Sequence, residues 1–165
     1  MDRYLEETEL LDYSCLDILK LIDSRGFDKL DDFNKIKEIY NCISISSNEE
    51  LYPLQKWYNQ LIEKTIAEIT VEDVLRMIRQ KEFTNLAVSK AINFLKEDVF
   101  VGELYEGELL EKVSEMDSSF LISYADDLKN IIKNALVKSE TRDWIYAGEE
   151  EEFKDMIDTL SKKIM

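Results

Sequence analysis

The chain has 165 residues, 36 of them acidic and 21 basic, a formal charge of −15 and no histidine. A length of this order suits one domain that hides about 70% of the surface its unfolded form exposes, so a core without staples is expected over 1–165. So negative a charge repels phosphate backbones and anionic lipid, which argues against direct nucleic-acid or membrane-surface binding and favours a basic partner. Without histidine, Ser-His-Asp and Cys-His catalysis is impossible and zinc loses its commonest nitrogen ligand.

One proline and four glycines leave few turns, so the expected fold class is all-α, a bundle of about seven to eight helices. A first helix is expected from about Tyr13 to Ser24, stopped by Gly26. Asp28 can cap the second, which carries Leu30, Phe33, Ile36, Ile39, Tyr40 and Ile43 inward and ends in the polar stretch Ser44 to Asn48. Pro53 suits the first turn of a third helix, whose Leu54, Trp57, Tyr58 and Leu61 share one face. The two cysteines, Cys15 and Cys42, fall in apolar runs and read as reduced thiols. The start of the chain, MDRYLEETELLDY, lacks the apolar core of a secretory signal, and no window is apolar enough for a membrane span. The expected location is the cytoplasm.

From Ile69 to Val113 the pattern becomes specific. Thr70 precedes Asp73 by three residues and Ile69 precedes Val74 by five, a capping box and a hydrophobic staple that start a helix at Val71. Its Val71, Val74, Leu75 and Ile78 lie on one face, with Arg76 and Arg79 on the other. After a polar break at Lys81 to Asn85, Val88, Ala91, Ile92 and Leu95 repeat the device, so two antiparallel helices joined by a short loop are expected. Gly102 to Leu110, GELYEGELL, places two glycines around a tyrosine just before a new amphipathic start.

These residues, T-V-E-D-V-L-R-M-I-R-Q, A-I-N-F-L and G-E-L-Y-E-G-E-L-L, resemble the immunity proteins of bacterial contact-dependent growth inhibition systems. One helical group of these has a T-V-E-D-L-R-x-L-I-x-Q helix before a G-D-x-Y-P-G-D-L-L turn. The resemblance covers about 54–113. Glu103 and Glu108 stand where the pattern has Asp, Glu106 and Thr65 where it has Pro, and Ser89 where the second helix often has Pro. The resemblance implies a cytoplasmic inhibitor that binds and neutralises one toxin domain, often a nuclease, and performs no reaction.

After the double-glycine turn, Leu109, Leu110, Val113 and Met116 continue a helix, and Asp117 to Ser119 offers caps for the first of the C-terminal helices, 118–165. In that next helix the stripe from Leu121 to Leu136 holds register for more than four turns, making it the longest expected. Lys138 to Gly148 reads as a loop pinned by Trp144, Ile145 and Tyr146. The last helix opens on Glu149 to Glu152, closes on Lys162 and Lys163, and turns Phe153, Met156, Ile157, Leu160 and Ile164 inward.

Paired carboxylates such as Glu103 with Glu106, or Asp126 with Asp127, are the one remaining route to catalysis, but adjacent acids occur without purpose among 36. No enzyme activity, metal or cofactor is expected. In the turn, Gly102 and Gly107 can supply positive φ while Leu104 and Tyr105 plug the core, and Thr70 and Asp73 are structural. The partner-binding candidates are Glu103, Tyr105, Glu106 and Glu108, with Glu149, Glu150, Glu151 and Glu152 as a steering rim for a cationic toxin domain. A different class remains open: a helical adaptor that receives a partner helix in an apolar groove.

Overall fold

The computed structural model describes residues 34–165. The expected helix at Tyr13 to Ser24, the Gly26 stop, the Asp28 cap, Leu30, Phe33 and Cys15 lie outside the described residues. The chain packs as two compact units, Met1–Ile69 and Thr70–Met165. Among the described residues all regular structure is helical apart from a single bridge between Lys35 and Thr65.

In the first unit, α1 spans only Ile36–Tyr40. The expected longer helix is cut at both ends. Lys35 is extended because it pairs with Thr65, and the Ile36 N–H donates to the Lys64 carbonyl at 2.8 Å. Asn41 then turns left-handed at φ 53, a conformation that asparagine tolerates, so Ile43 emerges 64% exposed instead of inward. Cys42 follows, half-buried. The segment after it is held by a side chain: Asn59 accepts from the Ile45 N–H at 2.7 Å and donates to its carbonyl at 2.9 Å. Asn59 belongs to α2, Pro53–Ile62, which starts on its proline as expected and buries Trp57, Leu61 and Ile62, though Leu54 stays exposed. A 3-10 turn, Ile66–Glu68, closes the unit.

The second unit holds the remaining helices. Helix α3, Val71–Gln80, begins where the capping box places it: the Thr70 hydroxyl accepts from the Asp73 N–H and the Asp73 carboxylate from the Thr70 N–H, each at 3.1 Å. Ile69 and Val74 are both buried. Lys81 ends α3 in the left-handed region at φ 56. Helix α4, Thr84–Glu97, follows and buries Leu86, Val88, Ala91, Ile92 and Leu95. So broad a stripe lets α4 pack against α3, against α5 (Glu108–Ser114), against α6 (Ser118–Leu121) and against α7 (Ala125–Ser139). Helix α8, Glu149–Ile164, covers α5, α6 and α7.

The single long helix expected from about Leu121 to Leu136 is broken. Asp117 caps α6 by accepting from the Ser119 N–H at 2.9 Å, a 3-10 turn occupies Ile122–Tyr124, and only then does α7 run. Apolar spacing is blind to this, because a 3-10 turn advances 120° per residue against 100° in an α-helix. Three residues rotate the stripe by only about 60°. The longest described helix is therefore α8, at 16 residues. Its Lys163 does more than match its own dipole: the ammonium donates to the Ser114 carbonyl at 2.6 Å and the Met116 carbonyl at 2.9 Å, capping the end of α5.

Candidate functional site

The loop between α4 and α5 is closed on itself. The Gly107 N–H donates to the Phe100 carbonyl at 2.7 Å and the Leu109 N–H to the Val101 carbonyl at 3.2 Å. The Glu108 side chain fills the interior: it is 2% exposed, and one carboxylate oxygen accepts from the Glu103 N–H at 2.8 Å and the Leu104 N–H at 2.9 Å. Glu108 therefore presents no carboxylate to a partner in this structure. It holds the loop that presents the others.

The two glycines differ in their reasons. Gly107 sits at φ 85, as expected, while Gly102 is absent from the positive-φ residues. Gly102 is required by proximity: a Cβ there would collide with the Tyr105 carbonyl oxygen and come within 2.9 Å of the Glu108 Cβ. With the interior so occupied, Leu104 and Tyr105 cannot plug the core. Leu104 is 77% exposed, and Tyr105 lies on the surface with its hydroxyl donating to Glu111 at 2.6 Å.

The second acidic segment is built similarly. Gly148 at φ 103 starts α8, the Ile145 N–H donates to Glu149, and the Tyr146 hydroxyl donates to Glu152. Glu150 pairs with Lys154 at 2.7 Å, one turn on. Of the three residues expected to pin the loop from Lys138 to Gly148, which here begins only after Ser139, Trp144 alone packs, its ring 5.5 Å from that of Phe153. Ile145 is 84% exposed, and Tyr146 also faces outward.

These segments, some forty residues apart in sequence, meet. Phe100 at the foot of the first loop stacks on Phe153 of α8 at 5.5 Å, and Arg142 from the second loop reaches Glu106 of the first at 2.7 Å. Partial burial and then the Glu111 hydrogen bond push the Tyr105 phenol well above its usual range; Tyr146 is raised chiefly by its bond to Glu152. Both tyrosines thus stay protonated donors at neutral pH. The result is one surface with exposed Leu104, Tyr105, Ile145 and Tyr146 set among glutamates. Among these glutamates the Glu103 and Glu151 carboxylates have no partner among the described residues; Glu106, Glu149, Glu150 and Glu152 are engaged.

Sequence reasoning missed Arg142 and Glu111. A register argument could have found Glu111, since Tyr105 is six residues upstream across a turn. Nothing local marks Arg142.

A separate groove of about 590 Å³ lies between α3 and the α5–α6 region, floored by Leu75, Ile78, Met116 and Phe120 and edged by Arg79 and Lys112. Among the described residues no cluster of three or more potential ligands could hold a metal ion, and no helix is long and apolar enough to cross a membrane.

Among the described residues the fold is helical and carries an acidic surface with exposed aromatic side chains. The chain matches the CDI immunity proteins over residues 38–131, more than half its length, and belongs to that family, whose members neutralise the toxin of a contact-dependent growth inhibition system. The match includes the Gly102 to Leu110 turn and stops short of Arg142 and Glu149. A comparison with curated proteins finds no match.

Proposed function

We propose that the surface formed by the 101–107 and 140–148 loops and the start of α8 docks on the basic substrate face of a cognate nuclease toxin domain and closes it to phosphate. The carrying observation is the convergence of the two acidic segments around four exposed apolar and aromatic side chains. A nuclease must be cationic where it holds its substrate, so an anionic surface is its natural plug. Exposed tyrosines supply rigid contact area at the centre of such an interface, while the carboxylates steer the approach. Binding alone blocks the toxin, with no reaction, and the natural place for it is the cytoplasm. The family match crosses from the first unit into the second, which supports treating 1–165 as one functional domain.

The test is co-expression of the C-terminal domain of whatever large secreted protein the adjacent reading frame encodes, with and without the chain, together with a nuclease assay of that domain. Protection and loss of nuclease activity are expected; equal killing in both cultures defeats the proposal. The adaptor reading would use the groove beside α3 instead. Salt separates the two: a charge-led surface associates more slowly as ionic strength rises, whereas an apolar groove is nearly indifferent.

A further inference from the structure

Arg142 lies beneath the surface just described. Its side chain is 15% exposed, and its guanidinium carbon stands 4.2 Å from the centroid of the Phe100 ring and 5.3 Å from that of Trp144. One terminal nitrogen donates to Glu106 at 2.7 Å, and the buried Nε has no partner among the described residues. A planar cation between two rings, with a carboxylate at its edge, fixes each neighbour's direction in a way that a flexible ammonium cannot. Phe100 and Glu106 belong to the first loop and Trp144 to the second, so one side chain joins both.

We propose that Arg142 is a positioning residue for toxin binding: it locks the two loops into a single surface before the toxin arrives. The inference rests on the docking surface proposed above and adds the device that assembles it. Fixing the loops in advance removes ordering cost from the binding step, and such a gain shows as a longer-lived complex.

The sign of the effect separates this role from electrostatics. Arg142→Gln makes an already acidic protein more negative by one charge, so a surface working by charge alone would bind a cationic toxin faster and more tightly. A lost lock does the opposite. With the cognate toxin domain as probe, R142Q is expected to dissociate about tenfold faster with association no slower. R142K, which keeps the charge without the planar fork, should recover part of the loss. The Trp144 environment should change in free R142Q, visible in fluorescence against the buried Trp57. Glu106→Gln, at an exposed carboxylate, should also speed dissociation, and R142Q with E106Q should be no worse than R142Q alone. If R142Q does not fold, E106Q and R142K carry the test.

Variants that dissociate as slowly as the parent chain, or an R142Q that binds more tightly, overturn the role of Arg142 and leave the docking surface standing. A parent chain that does not bind the toxin domain overturns the surface itself.

Discussion

At Gly102 the absence of a side chain is a matter of space, and at Gly107 a matter of dihedral angle. Gly102→Ala would drive a methyl into the Tyr105 carbonyl, a backbone atom that cannot yield without opening the loop, and should cost about 2–3 kcal/mol. Gly107→Ala meets nothing closer than Phe100 at 3.9 Å and bears only the left-handed penalty, about 1 kcal/mol. Urea titration of both variants checks the order; equal losses would mean that the close approach is not rigid. Both glycines were legible in the sequence as turn residues, but the reason for Gly102 was not, because it depends on where the Glu108 side chain lies. Glu82 offers a second residue-scale test. Burial raises its carboxyl above the usual value, so the folded state holds the proton more tightly than the unfolded chain. Stability is therefore lost as pH rises through the unfolded and then the folded value, and remains lost at neutral pH. Glu82→Gln should melt higher than the parent at pH 7, with the difference vanishing in acid below the usual carboxylate range; melting curves across pH decide it.

Helix starts proved easier to read than helix ends and breaks. Thr70 with Asp73, and Pro53, are signals carried by a few adjacent residues, and the structure realises both. Thr70→Ala should cost about 1 kcal/mol, since it leaves the Asp73 N–H without its acceptor. At the other end of α3, Lys81 sits left-handed at φ 56, where glycine meets no Cβ penalty, so Lys81→Gly should raise stability by about 0.5–1 kcal/mol. Thermal denaturation of the pair would show opposite shifts; a K81G that melts lower would show that the lysine side chain has a packing role. By contrast, the cut N-terminal end of α1 follows from the pairing of Lys35 with Thr65, thirty residues away, and no local pattern reports it. The Ile122–Tyr124 interruption is likewise hidden, because it barely rotates the apolar stripe.

For the whole molecule, net charge motivates the class of partner proposed, and the fold sets where that charge can act. Many of the acids that made the chain look like a cationic-protein binder are engaged internally, including four of the five glutamates at positions 106 and 149–152. Reversing all of Glu149 to Glu152 would break loop contacts along with the field. Glu103→Lys with Glu151→Lys is the cleaner change. It should slow association with the toxin domain by about tenfold at low salt, with the deficit shrinking at high ionic strength and the melting temperature unchanged. Association rates in stopped flow over a salt series provide the check, and kinetics identical to the parent would remove the steering role from these positions.

The sequence by itself determined the helical class, the α3 start, the amphipathic faces of α3, α4 and α8, the acidic character and the family. Each of these is written in neighbouring residues or in their sum. Only the tertiary structure decided that the Glu103–Glu106 loop and the start of α8 form one surface, that Glu108 is interior to it, and that Arg142 ties it together. Those facts depend on which loops meet once the helices have packed, and a charge or a ring carries no mark along the chain of the partner that folding brings to it.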